Sequence, residues 1–329
     1  MPDAKPIPYR LVEHPAAAGG AEETEVIAGL EDTPARVAPK YFYDELGCAL
    51  YGAICRLPEY YPTRVERALF RLRRDEIAAC LPREAQFVDL GAGDCAKARE
   101  WLPFVVPSRY VAVDIARDEV GSALARLAPD FPGIEMLGVI TDFSTRLDLR
   151  DGLDPRPALF FYPGSSIGNF APDDAVAFLA QVHELCASRA GSGLLIGVDG
   201  KKAKPVLDAA YDDPLGVTAA FNRNVLLHLN RRFGFDFALD GWTHRGFYNA
   251  QAGRIEMHLE ATRDQVVHLG GDPRAFRAGE RIHTENSYKY TREEFDAVLR
   301  RAGFGAVFGW SDEQTPYHVF YATGDRPRS

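Results

Sequence analysis

The chain has 329 residues, 46% apolar and 26% charged, which is the composition of a globular protein able to bury a full core. Its net charge of −9 argues against a nucleic-acid partner, because such binders carry a basic excess or stripe. The five cysteines, Cys48, Cys55, Cys80, Cys95 and Cys186, include no CxxC pair, which argues against a disulfide framework or structural zinc and suits a reducing cytoplasm.

No apolar run nears the ~18 residues needed to span a bilayer, and MPDAKPIPYR lacks an apolar signal core, so no membrane partner is expected. The first forty residues are rich in Ala, Gly, Pro and Glu; they predict an arm and then a short helix around 22–30. From 64 to 80, Val65, Leu69, Leu72, Ile77 and Ala78 recur at helical spacing among Arg and Glu. Short apolar runs follow at 87–90, 110–113, 135–139, 158–162 and 194–198. Amphipathic stretches of helical length lie between them at 96–102, 118–127 and 172–186. Short buried strands alternating with helices are the pattern of a parallel sheet covered on both faces.

After Val198 the rhythm changes. Residues 201–233 read as helices, with Leu226, Leu229 and Phe233 on one face; 242–259 and 265–269 read as strands. Residues 292–302 predict an amphipathic helix ended by Gly303, and 306–310 with 318–322 a closing antiparallel hairpin. The expected fold class is α/β, a doubly wound sheet with an inserted second α+β lobe. Residues 1–60 would form the arm and part of a substrate lobe, 61–199 the sheet domain, 200–286 the inserted lobe, and 287–329 the rest of the sheet domain.

Val88-Asp89-Leu90-Gly91-Ala92-Gly93-Asp94 puts a tight glycine turn directly after the first sheet strand, where doubly wound folds bind ligands. The turn alone would equally suit a dinucleotide, but Ala96 occupies the third glycine position of GxGxxG. Asp114, ending the next run, can accept from ribose hydroxyls. Asp142-Phe143, after the third, offers an acceptor for an adenine amino group and an apolar contact for its ring. In this order they are the features of a class I S-adenosylmethionine methyltransferase. Such a transfer needs no metal, and no histidine pair shows metal-ligand spacing.

Lys40-Tyr41-Phe42-Tyr43-Asp44 and Leu57-Pro58-Glu59-Tyr60-Tyr61-Pro62-Thr63-Arg64 precede the glycine loop, and Gly164-Ser165-Ser166-Ile167-Gly168-Asn169-Phe170 follows the fourth strand. Ala210-Tyr211-Asp212-Asp213, Ile255-Glu256-Met257 and His283-Thr284-Glu285-Asn286-Ser287 come later. This set resembles the histidine-specific N-α-methyltransferase family, which makes hercynine at the start of ergothioneine synthesis. The resemblance covers most of the chain, from about residue 40 onward.

It implies a monomeric enzyme that trimethylates the α-amine of L-histidine. Gly91, Lys97, Asp114, Asp142 and Phe143 would hold S-adenosylmethionine. Asn169 and Tyr211 would take the substrate carboxylate, with Gly164 close by. Tyr43 and Asn169 would lie near the amine, and Tyr60, Met257, Glu285 and Ser287 around the imidazole. Glu285 can accept a ring N–H, and Ser287 can donate or accept at the other nitrogen. Departures are Cys48, Tyr51 in place of a phenylalanine, and Asn286 in place of an apolar residue; the last two can reshape the acceptor pocket.

Plainer readings exist for single residues. Glu285 could pair with Lys289 on the surface, Asn169 could cap a helix, Met257 could fill core, and Tyr60 could be a core aromatic. A same-fold enzyme for another amino acid, dipeptide or aromatic amine, or a cofactor-binding regulator, also stays open.

Overall fold

The computed structural model describes residues 9–14, 20–144, 146–149 and 152–324. An eight-stranded sheet runs in the order Arg10–Glu13, Glu135–Ile140, Arg109–Asp114, Gln86–Leu90, Ala158–Tyr162, Gly193–Asp199, Tyr317–Thr323, Val307–Asp312. Pairing is parallel as far as Gly193–Asp199, and the last two strands turn antiparallel. Strand order reverses between Gln86–Leu90 and Ala158–Tyr162, and a crevice opens at the carboxyl ends of strands at such a switch point.

Side chains alternate across these strands, so each strand feeds two cores. Val88, Phe160 and Ile196 pack with Pro172–Ala187 and Arg292–Arg301 on one face. On the other, Phe87, Phe161 and Leu195 pack with Pro62–Leu72, Ala96–Val105 and Arg117–Leu127. Burial on both faces explains the near-continuous apolar strands.

A third core belongs to the other lobe. There a four-stranded sheet, ordered Ala35–Arg36, Arg281–Tyr288, Arg254–Ala261, Trp242–Asn249, packs with Lys204–Tyr211 and Val217–Phe233. Among the described residues no helix is long and apolar enough to cross a membrane.

The structure departs from the sequence reading in four places. Arg10–Glu13 is not part of an arm but a parallel edge strand beside Glu135–Ile140. The helix expected over 64–80 is two helices, Pro62–Leu72 and Arg74–Cys80, broken where Arg73 leaves helical dihedrals at φ −106° and ψ 10°. Asp272–Phe276 and Arg281–Tyr288 are strands that no apolar run announced. The second of these carries a bulge between His283 and Glu285.

The lobes meet where the single-turn helix Ser166–Asn169 lies on Arg281–Tyr288. The approach depends on a missing side chain: a Cβ on Gly168 would lie 2.8 Å from the Tyr288 carbonyl oxygen and 3.2 Å from its nitrogen. Because backbone atoms cannot swing aside, Gly168→Ala is expected to lower unfolding free energy in urea by about 1–3 kcal/mol. An unchanged transition midpoint would show that this junction is not tightly packed.

Candidate active site

The glycine loop forms one wall of the crevice. Gly91 and Gly93 take left-handed φ values of +71° and +49°, which favour glycine. A Cβ on Gly93 would project into open space, and one on Gly91 would reach only Phe143, at 3.9 Å. The loop and the Phe143 ring thus bound a cradle. Asp114 is fixed at the end of its strand by the Gly93 and Ala116 N–H groups, at 2.9 and 3.0 Å. Asp142 accepts from Lys40 at 3.2 Å and from Ser144 N at 3.0 Å.

Lys97 lies 2.7 Å from the buried Glu66, which also accepts from Gly164 N at 2.6 Å and the Tyr317 hydroxyl at 2.5 Å. Glu66 was not singled out in the sequence, since it sits mid-helix among charged residues. It holds Lys97 and Gly164 together, and a Cβ on Gly164 would come within 2.7 Å of the Lys97 nitrogen. Two fixed carboxylates, an aromatic edge, a glycine cradle and one ammonium suit a ligand with ribose, adenine, carboxylate and sulfonium groups. The residues present therefore fit S-adenosylmethionine.

Beyond this crevice, Tyr43, Tyr60, Gly164, Asn169, Tyr211, Met257, Glu285 and Ser287 all line a single cavity. The chain brings them from four directions. Asp44 caps Glu45–Ile54 by accepting from Gly47 N at 2.8 Å and binds the Asn224 amide at 2.7 Å, which anchors Tyr43 next to it. Tyr211 ends Lys204–Tyr211. Gly164 and Asn169 follow the sheet strand Ala158–Tyr162. Glu285 is the register partner of Met257, and its spacing from Ser287 puts both on one sheet face. Asn169 is not a helix cap, because Ala171 occupies that position for Pro172–Ala187. Tyr51, Phe221, Ser165 and Ser166 also line the cavity; the sequence reading assigned the last three no role at the site.

The family described as histidine-specific, SAM-dependent methyltransferase matches residues 22–323. The chain belongs to this family. It is 38% identical over 310 residues to the histidine N-alpha-methyltransferase of Mycolicibacterium smegmatis, covering 92% of this chain and 95% of that one. It is 37% identical over 295 residues to the enzyme of that name from Mycobacterium tuberculosis, covering 88% and 90%. The N-methyltransferase imqF of Aspergillus flavus is 27% identical over 305 residues, covering 89% and 82%.

In this methyltransferase burial dominates the electrostatics of the acceptor cavity. It drives the Tyr43, Tyr51 and Tyr60 hydroxyls well above 10, so they stay protonated at neutral pH. Tyr43 lines the acceptor cavity and feels the charges of Glu285 and then Asp114, one from each site. Burial pushes Glu285 up to about 7, although Lys289 pulls it down. Its carboxyl receives no hydrogen bond among the described residues. The plainer reading of Glu285 and Lys289 as a surface pair does not hold, because Lys289 is fully buried and paired with Asp199 at 3.0 Å.

A carboxyl raised from 4.5 to about 7 makes the folded state bind more protons than the unfolded state between those values, so stability falls as pH rises through that window. Glu285→Gln removes the effect. The variant's stability relative to the parent is expected to improve by roughly 1–3 kcal/mol between pH 4.5 and pH 8 in denaturant titrations. A difference that does not change with pH would place Glu285 in an ordinary solvated setting.

Proposed function

We propose that this protein transfers methyl groups from S-adenosylmethionine to the α-amino nitrogen of free L-histidine, three times, giving hercynine. The observation that carries the reading is Glu285: its carboxyl receives no hydrogen bond among the described residues and lines one cavity with Tyr211 and Asn169. An apolar side chain there would leave that carboxyl desolvated and unpaired, whereas an imidazole N–H satisfies it. The relatives named for histidine N-alpha-methylation, at 37–38% identity, support the same substrate.

Bound S-adenosylmethionine would supply a methyl group activated by its sulfonium, held by Gly91, Lys97, Asp114, Asp142 and Phe143. The chain's own task is positioning. Asn169 and Tyr211 hold the carboxylate, with Gly164 leaving room beside them; Glu285, Ser287, Tyr60 and Met257 hold the ring. These contacts fix the amine at one place between the lobes. In the first two transfers the protonated Tyr43 hydroxyl accepts an amine N–H and turns the nitrogen lone pair toward the methyl; the dimethylated amine of the third has no N–H left and is held by its carboxylate and ring contacts. Each ammonium formed must lose a proton before the next transfer, and the third product has none left on nitrogen. Enclosure between lobes excludes water and aligns donor with nucleophile. The proposal extends to a monomer working in a reducing cytoplasm, a setting that suits five free thiols.

Mass spectrometry of the protein incubated with S-adenosylmethionine and the twenty proteinogenic amino acids in competition tests this. Trimethylated histidine is expected to dominate the products. A different methylated amine would keep the cofactor side and overturn the roles of Glu285 and Ser287.

A further inference from the structure

The acceptor cavity has a charge problem. Glu285 lines it, the amino acid proposed to enter brings a carboxylate, and no lysine or arginine side chain is among its described lining residues. The cation lies one layer back. Lys289 donates to the Tyr211 hydroxyl at 2.9 Å and to the Ser287 hydroxyl at 2.9 Å, and pairs with Asp199 at 3.0 Å. Those contacts use all three ammonium N–H groups, and its side chain has no exposed surface. Lys289 therefore cannot touch a ligand, but it controls two groups that can.

The Tyr211 and Ser287 hydroxyls are 3.0 Å apart and share one hydrogen bond, in which either can donate. Each carries a single proton, and each spends a lone pair on Lys289. One proton fills the shared bond, which leaves one for the cavity. When a carboxylate lies against Tyr211, that proton belongs to Tyr211. Ser287 then donates to Tyr211 and presents only a lone pair to the ring. The ammonium 2.9 Å behind the phenol oxygen strengthens Tyr211 as a donor and offsets the incoming charge.

We propose that Lys289 is a positioning and specificity-determining residue that makes Tyr211 a charge-assisted donor to the substrate carboxylate. The proposal rests on the amino-acid reading given above, with Tyr211 at the carboxylate end. Asp199 holds Lys289 in turn. It also takes Lys202 at 2.5 Å and the Tyr61 hydroxyl at 2.7 Å, so losing Lys289 leaves its charge compensated.

The test is calorimetric binding of L-histidine and L-histidinamide to protein saturated with S-adenosylhomocysteine. The unaltered protein is expected to prefer the acid by roughly ten- to hundredfold. In Lys289→Met that ratio should fall toward one with S-adenosylhomocysteine affinity unchanged. Lys289→Gln, which keeps two N–H donors without the charge and is a milder change to the fold, should retain only part of the ratio. Tyr211→Phe should cost the acid much less in the Lys289→Met background than alone, since the two act as a unit. Equal losses for acid and amide in the lysine variants would mark Lys289 as merely structural, and an undiminished ratio would also overturn its role. An unaltered protein with no preference for the acid would overturn the carboxylate reading of Tyr211 together with this one.

Discussion

Asp199 ends the last parallel strand with no exposed surface, in surroundings where an unpaired carboxylate would cost several kcal/mol. Burial alone would raise its pKa, yet Lys289 and Lys202 hold it below the ordinary carboxylate range. Those partners, with Tyr61, come from three places: the end of the lobe strand, the chain leaving the sheet, and the start of Pro62–Leu72. Satisfying one buried charge therefore ties these three segments together. A weakly paired Asp199 would loosen all three, and with them Tyr211 and Ser287.

The site inherits its geometry from that junction. Cofactor-side residues sit at the ends of parallel strands, where glycine turns and backbone N–H groups set Asp114 without help from the other lobe. Acceptor-side residues come from both lobes and the N-terminal segment. Glu66 ties the sides together, gripping Lys97 on one and Gly164 on the other. Tyr43 bridges them electrostatically, and Lys40 from the same segment reaches Asp142. A methyl donor and an amine can meet in such a site only when both lobes are in place.

Much of this was legible in the sequence because burial on two faces leaves an unmistakable apolar run. Ala158–Tyr162 is bounded as its run is, and the other parallel strands of the sheet's middle differ by a residue or two at their ends. Tyr60, Glu285 and Ser287 were visible through the motifs around them. What escaped reading was polar or lacked a pattern. Arg281–Tyr288 reads RIHTENSY because one face turns to the cavity, which Glu285 and Ser287 line. Asp272–Phe276 holds a proline and, in phase with the buried Phe276, two charged residues where a strand signal should be apolar. Arg10–Glu13 is four residues on a sheet edge, too short for periodicity. The burial of Lys289 is illegible for a related reason: lysine is almost never fully buried, and only the partners supplied by distant chain segments make it so.

Glu285 is the group proposed to read the imidazole. Its titration can be followed directly by NMR of carboxyl-labelled glutamate, with Glu285→Gln identifying the signal. In protein loaded with S-adenosylhomocysteine its pKa should lie near 7, raised by burial. Adding L-histidine should lower it, because a ring N–H stabilises the ionised carboxyl. A pKa that stays unmoved by L-histidine would contradict the central claim.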